Sequence, residues 1–132
     1  MLGEQLVLFR MRDGQVGALA NRCAHRNLAL SRGKVSADGL SCAYHGWTYD
    51  PSGTCVHVPA ACNGCSPQAR PRVRSYPVCE KQGLVWVYLS AKGEEPEGEP
   101  LDFPFHGQSR WQYWFMERVF EGDAFNCAEN FL

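Results

Sequence analysis

Two short segments of the sequence each pair one cysteine with one histidine. Cys23 and His25 lie two positions apart, and Cys42 and His45 lie three positions apart after sixteen intervening residues. A zinc finger normally keeps its ligand types separate, with two cysteines on a hairpin and two histidines on a helix. Here each of two loops offers one thiolate and one imidazole, an arrangement that suits two metal atoms held between the loops.

One iron could take both thiolates and the other both imidazoles, with sulfides bridging the two irons. That division of ligands defines a Rieske [2Fe–2S] centre. Because neutral imidazoles replace two anionic thiolates, such a centre accepts an electron more readily than an all-cysteine cluster, at about −150 to +300 mV against about −400 mV. A structural zinc site built from the same four residues is the alternative.

The spacing Cys-x-His-x16-Cys-x2-His and the segment AYHGW at 43–47 resemble those of Rieske non-heme iron oxygenases. Respiratory and photosynthetic Rieske proteins instead carry two additional cysteines that tie the loops together, and a serine after His-Gly. The corresponding positions here hold Leu28, Tyr44 and Trp47. The resemblance therefore implies no disulfide between the loops, fewer donors to the sulfides and a potential in the lower half of the Rieske range.

Residues beside the ligands are expected to support them. Gly46 and Gly33 either allow backbone amides to approach the cluster closely or are ordinary turn glycines. Arg26 is either a partner for a carboxylate of another domain or subunit, or a solvated surface arginine. Tyr44 and Trp47, with Gly46, complete the set that we expect around the cluster.

The chain has seven cysteines, an odd number, and its start lacks the features of a signal peptide. We therefore expect thiols or metal ligands rather than a disulfide framework. A separate zinc site is a weaker candidate, because two of its four residues fall on a predicted strand. Its ligands would be Cys55, His57, Cys62 and Cys65.

The formal charge of −1 indicates no general attraction to nucleic acid or to an anionic membrane surface. No apolar run approaches the ~20 residues that a membrane span requires. We therefore predict no nucleic-acid partner and no membrane span. The odd number of cysteines and the start without signal-peptide features predict a reducing, cytoplasmic location, with an organelle as the alternative.

Short strands separated by Gly and Pro turns predict an all-β domain over residues 1–91. The turns at 13–14, 37–39 and 50–53 predict three hairpins, and residues 83–89 form the clearest strand. The pattern indicates a small sandwich or barrel. The resemblance implies a Rieske-type antiparallel β-sandwich with two cluster-binding loops.

The segment 92–100, KGEEPEGEP, is predicted to be an acidic linker. Beyond it, residues 111–120 predict an aromatic strand, and residues 123–132 predict a helix with Asp123 as N-cap. Because GDAFNCAENFL resembles the start of the oxygenase catalytic domain, we expect 101–132 to begin an α+β catalytic domain and the chain to be a fragment.

Several other side chains are assigned to the core. Cys79 and Cys127 are predicted to be small buried hydrophobic residues. The aromatic residues expected in the core are Trp86, Tyr88, Trp111 and Trp114.

By the resemblance, the full-length protein is a Rieske-type mono- or dioxygenase that uses O2 to hydroxylate or O-demethylate an organic, aromatic or ring-containing substrate. A reductase or ferredoxin would supply electrons, which pass through the cluster to a mononuclear iron(II). No residue here is assigned a catalytic role, because the two histidines and one carboxylate that hold such an iron are expected beyond Leu132. The family's subunits form rings of three, and His25 and His45 are the candidates for electron exit to a neighbour.

Two other functions stay open at this stage. A free-standing Rieske-type ferredoxin would carry electrons only, and such a chain would end near Leu89. A zinc-stabilised binding module would use the four ligands without sulfide.

Overall fold

The computed structural model describes residues 3–59, 70–90 and 94–129 of the chain. By its internal contacts the chain divides into two compact units, the first ending at Leu101 and the second beginning at Asp102. The first unit consists of antiparallel strands with almost no helix, which confirms the predicted all-β class.

The regular elements of the described residues are short. In chain order they are β1 (Leu6–Arg10), β2 (Val16–Ala20), a 3₁₀ turn (Leu30–Arg32), β3 (Lys34–Val35), β4 (Leu40–Ser41), β5 (Thr48–Tyr49), β6 (Cys55–His57), β7 (Val78–Lys81), β8 (Leu84–Val87) and α1 (Ala124–Glu129).

The described strands form three antiparallel sheets, β1–β2, β3–β4–β5–β6 and β7–β8. The segment 71–76 forms hydrogen bonds with both the β1–β2 sheet and the β3–β4–β5–β6 sheet. The Tyr76 N–H donates to the Ala18 carbonyl of β2 at 2.9 Å, and the Val73 N–H donates to the Gly53 carbonyl in the β5–β6 turn at 2.8 Å. One irregular segment therefore holds the two sheets around a shared core.

All three predicted hairpins are confirmed, because β1–β2, β3–β4 and β5–β6 pair directly. Aspartate side chains shape two of the turns by accepting a backbone N–H further along the chain. Gln15 donates to Asp13 Oδ1, and Thr54 donates to Asp50 Oδ1, each at 3.0 Å. This local bond is the reason that aspartate favours such turns.

The β7–β8 hairpin departs from the sequence analysis in three ways. The strand β7 was not predicted, and β8 is shorter than the expected 83–89. Cys79, predicted to be buried, pairs with Trp86 and is exposed. A two-stranded sheet has little structure to cover it, so apolar character does not ensure burial there.

The predicted strand over 111–120 is wrong, since none of these residues has strand structure in the described part of the chain. A strand needs a neighbour for its N–H and C=O groups, and no described strand pairs with this segment. The predicted core positions Trp111 and Trp114 are exposed, Trp114 by 81%, as is Tyr88 of the first unit.

The helix predicted over 123–132 is confirmed over Ala124–Glu129, together with its N-cap, and residues 130–132 lie outside the described residues. Asp123 Oδ1 accepts the backbone N–H groups of Phe125 and Asn126, each at 3.0 Å. Cys127 on this helix is half-buried rather than buried. Among the helices of the described residues, none has the length and apolar character needed to cross a membrane.

The core of the first unit extends to the predicted ligands. Cys23 and Cys42 are buried in one cluster with apolar residues from the first two sheets. Its other buried members are Val7, Phe9, Leu19, Leu30, Leu40, Tyr49, Cys55 and Val73.

Candidate metal centre

The first loop begins at Cys23 and is closed by two backbone hydrogen bonds. The Cys23 N–H donates to the Leu28 carbonyl, and the Asn27 N–H donates to the Cys23 carbonyl, each at 2.9 Å. His25 lies inside this short turn and is exposed. The cysteine is thus held in the core while the histidine reaches the surface.

The second loop repeats the same pattern. The Cys42 N–H donates to the Trp47 carbonyl at 2.8 Å, and the Gly46 N–H donates to the Cys42 carbonyl at 3.1 Å. His45 lies inside this turn and is exposed. In both loops the bonds join the cysteine to the fourth and fifth residues after it, so the two loops are related in geometry as well as in ligand type.

Both turns depend on a residue in the left-handed region. The φ angle is 58° at Asn27 and 69° at Gly46. Glycine adopts this region freely and asparagine more readily than most residues. Asn27 was missed in the sequence, although its offset from Cys23 equals that of Gly46 from Cys42.

Gly33 is required by close packing of backbones. Its N–H donates to the Leu30 carbonyl at 2.9 Å, and a Cβ at this position would overlap the carbonyl oxygen of Ser41. Ser41 directly precedes Cys42, so this contact fixes the start of the second loop against the 3₁₀ turn that follows the first loop.

The two imidazoles meet between the loops. His25 Nδ1 and His45 Nδ1 are 3.1 Å apart. Two nitrogens that each lie about 2.1 Å from one metal ion are about 3.0–3.4 Å apart when the N–metal–N angle lies between about 90° and the tetrahedral value. The observed separation therefore fits two nitrogens that share one metal ion.

The two thiols form a second pair, in the core. Cys23 and Cys42 are only 2% and 4% exposed. Burial raises the pKa of Cys42 most, the backbone N–H of Tyr44 opposes this, and the neighbouring Cys23 thiol raises it further. Since metals bind the thiolate, the positive charge of a metal ion is what would keep this pair deprotonated.

The protonation of His25 also suits metal binding. Desolvation lowers its pKa most, and the nearby His45 and Arg26 lower it further. The neutral imidazole, which is the metal-binding form, is thereby favoured.

An aromatic ring stacks on each imidazole. Trp47 lies parallel to His25, with ring centroids 4.6 Å apart and an interplanar angle of 4°. Tyr44 lies over His45 at 3.7 Å and 29°, and is itself 61% exposed. These contacts orient both rings.

Tyr49 is a site residue that the sequence analysis missed. It is fully buried, and its hydroxyl lies 3.3 Å from Cys23 Sγ and accepts the Ala24 N–H at 3.2 Å. Burial raises the pKa of Tyr49, and the Cys23 thiol raises it further. The hydroxyl therefore stays protonated, and its hydrogen is available to the sulfur.

The arrangement as a whole differs from that of a single-metal site. No group of three or more His, Cys, Asp or Glu side chains in the described residues is placed to hold one ion. A tetrahedral zinc site would gather all four ligands around one point. A thiol pair and an imidazole pair instead match two metal ions with two protein ligands each.

The second candidate metal site is only partly within the described residues. Cys55 and His57 lie on β6, as predicted, with the thiol buried and the imidazole exposed. Cys62 and Cys65 lie outside the described residues.

Comparisons with known proteins point to the same chemistry. The profile of the family described as "Rieske [2Fe-2S] domain" matches residues 1–77. The 3-chlorobenzoate-3,4-dioxygenase oxygenase subunit of Comamonas testosteroni is 42% identical over 97 residues, which is 74% of this chain and 22% of that protein. The 5,5'-dehydrodivanillate O-demethylase oxygenase subunit of Sphingobium sp. (strain NBRC 103272 / SYK-6) is 36% identical over 109 residues, 78% of this chain and 26% of that protein.

Solved structures agree with these relatives. A crystal structure of dicamba monooxygenase bound to dicamba matches with a TM-score of 0.60 and 40% identity, covering 74% of this chain and 29% of that chain. The present chain thus spans less than a third of the length of each of these three proteins.

Proposed function

This chain belongs to the Rieske [2Fe–2S] domain family, and we propose that it is the electron-transfer domain of an O2-dependent non-heme iron oxygenase. Cys23 and Cys42 would hold one iron of the cluster, and His25 and His45 the other. The observation that carries this assignment is the separation into a buried thiol pair and an exposed imidazole pair. The bound cluster supplies one-electron transfer at a Rieske-type potential.

The surrounding residues have distinct tasks in this proposal. The core around Cys23 and Cys42 excludes water from the thiolate side. His25 and His45 form the exposed edge through which electrons enter and leave, and Trp47 and Tyr44 hold their ring planes. Tyr49 donates to Cys23 Sγ and tunes the potential.

We extend the proposal to the whole protein on the basis of the relatives, whose names describe a dioxygenase, an O-demethylase and a monooxygenase. The full-length protein would hydroxylate or O-demethylate an organic, aromatic or ring-containing substrate. It would take electrons from a reductase or ferredoxin, hold a mononuclear iron(II) outside this chain, form a ring of three subunits and work in the cytoplasm.

The cluster itself gives the direct test. Anaerobically prepared residues 1–132 should contain about two iron and about two acid-labile sulfide per chain, as a [2Fe–2S] centre requires. Metal analysis and sulfide titration measure this. Stoichiometric zinc without sulfide would show that the four residues form a structural zinc site instead.

A second prediction separates electron transfer from catalysis. Residues 1–132 should take up one electron per cluster from dithionite yet form no product from aromatic substrates with iron(II) and O2. The reason is that a mononuclear iron site needs two histidines and a carboxylate together, and the described residues contain no such group. Substrate-dependent product, detected by mass spectrometry, would contradict this division of roles.

Tyr49 should raise the reduction potential, because a donor to the Cys23 sulfur stabilises the more negative, reduced state. Such a bond contributes about 1.5 kcal/mol, which corresponds to about 60 mV for one electron. Tyr49→Phe should therefore lower the midpoint by about this amount in a spectroelectrochemical titration. The parent midpoint is expected in the lower half of the Rieske range.

A matched control is available in Tyr76, which is also buried but bonds to Glu4 at 3.4 Å. Tyr76→Phe should leave the midpoint unchanged. Equal shifts in the two variants would mean that the hydroxyl of Tyr49 does not act on the cluster.

A further inference from the structure

The net charge of the chain is only −1, but basic residues outnumber acidic residues around the first loop. Residues 14–37 contain no acidic residue. The basic residues in this stretch are all exposed, and they are Arg22, Arg26, Arg32 and Lys34. Five acidic residues fall instead within 94–102, namely Glu94, Glu95, Glu97, Glu99 and Asp102.

Three of the basic residues lie beside the candidate metal centre. A surface cleft is lined by Arg32 and Lys34 together with Cys42 and Gly46 of the second loop. Arg26 lines the small cavity between the two loops. We call Arg26, Arg32 and Lys34 the basic rim.

The basic rim is only partly balanced. Asp38 is the one carboxylate among the residues that line the same cleft, and His57 lines it as well. Three cations against one carboxylate leave a net positive charge along the cleft beside the second loop and at Arg26, which lines the same small cavity as His25 and His45. Such a field attracts an acidic partner and raises its association rate.

We propose that the basic rim is the docking surface for the electron-donor protein, and that this donor carries an acidic patch around its own redox group. This inference rests on the proposed electron-transfer function. Docking on the rim would bring the donor next to the exposed imidazoles. One electron leaves the donor and reduces the cluster, and no bond or proton changes place.

The test compares two variants of equal charge change. Arg32→Glu/Lys34→Glu reverses the charge of the basic rim and replaces none of the four residues assigned to the cluster. Arg12→Glu/Arg110→Glu changes the net charge equally, using exposed residues that line neither cavity. Each cluster-loaded protein is reduced by an acidic plant-type ferredoxin in a stopped-flow experiment at several salt concentrations, and binding of the oxidised ferredoxin is measured by calorimetry.

The rim variant should be reduced at least about tenfold more slowly at low salt, and it should bind the ferredoxin correspondingly less tightly. The rate for the parent should fall as salt screens the charges, and the control variant should stay within about twofold of the parent. Reduced methyl viologen, a small cation, should show no loss of rate with the rim variant.

Three results would overturn the inference. Unchanged rates and binding in the rim variant would show that the donor docks elsewhere, and equal losses in both variants would show that only net charge matters. A parent oligomer that the rim variant dissociates would identify the rim as a contact between copies of this chain. A parent without iron and sulfide would refute the proposed function itself, which metal analysis distinguishes from these outcomes.

Discussion

Replacing Cys42 with alanine is expected to remove the cluster completely. The variant would lose one of the two thiolates that the proposed cluster places on one iron, and Cys42 is the only cysteine of the second loop. We expect iron and sulfide to fall to near zero and the visible absorption of the cluster to disappear. Metal analysis, sulfide titration and the absorption spectrum measure the loss.

Because Cys42 is also a core residue, the variant needs a control that separates ligation from packing. Cys55 is equally buried in the same core cluster and is not one of the four residues assigned to the [2Fe–2S] cluster. Cys55→Ala should lose some stability through the cavity it leaves but keep both iron atoms. Cys79→Ala, on the exposed face of β7, should change neither quantity. Loss of the cluster from Cys55→Ala would point to packing rather than ligation as the cause.

The two candidate ligand pairs could be predicted from the sequence because each pair lies within a single tight turn. The sequence spacing is therefore enough to show that the cysteine and the histidine of a pair are close together. The pairs are Cys23 with His25 and Cys42 with His45. The hairpins were predictable for the same reason, since the Asp13 and Asp50 side chains bond only two to four residues along the chain.

Contacts made between distant parts of the chain were beyond that reasoning. Tyr49 reaches Cys23 across 26 positions, and only the packing of β5 against the first loop brings them together. From its position in the sequence, Tyr49 was predicted only to lie on a strand, with no role at the site. Asn27 and Gly46 occupy equivalent positions in the two loops. The sequence could have shown this equivalence only through a position-by-position comparison of the loops.

The wrong predictions share one physical cause. Residues 111–120 have the aromatic composition of a strand, and Trp111 and Trp114 have the character of core residues. The composition of a segment indicates how it would pack against a neighbouring strand or surface. Strand structure and burial form only when that neighbour is present. The exposed Cys79 on the two-stranded β7–β8 sheet follows the same rule.

Gly53→Ala is expected to destabilise the fold strongly. Gly53 ends the β5–β6 turn with φ at +80°, and a Cβ there would overlap the carbonyl oxygen of Val73. The backbone must shift, which threatens the bond from the Val73 N–H to the Gly53 carbonyl. That bond holds the segment 71–76 against the sheet that carries Tyr49. Because Tyr49 contacts Cys23, we expect loss of the bond to disturb the candidate metal centre as well.

Gly14→Ala separates the overlap from backbone strain alone. Gly14 also has a positive φ, +96°, but a Cβ there meets nothing within 4 Å. Left-handed strain costs about 1 kcal/mol, equivalent to about 4–8 °C in the unfolding midpoint of a domain this size. Gly53→Ala should lose about 3 kcal/mol or more and about 12 °C or more. Thermal unfolding followed by circular dichroism, with all proteins cluster-loaded, measures the difference, and equal shifts in the two variants would show that the Val73 contact does not hold the sheets together.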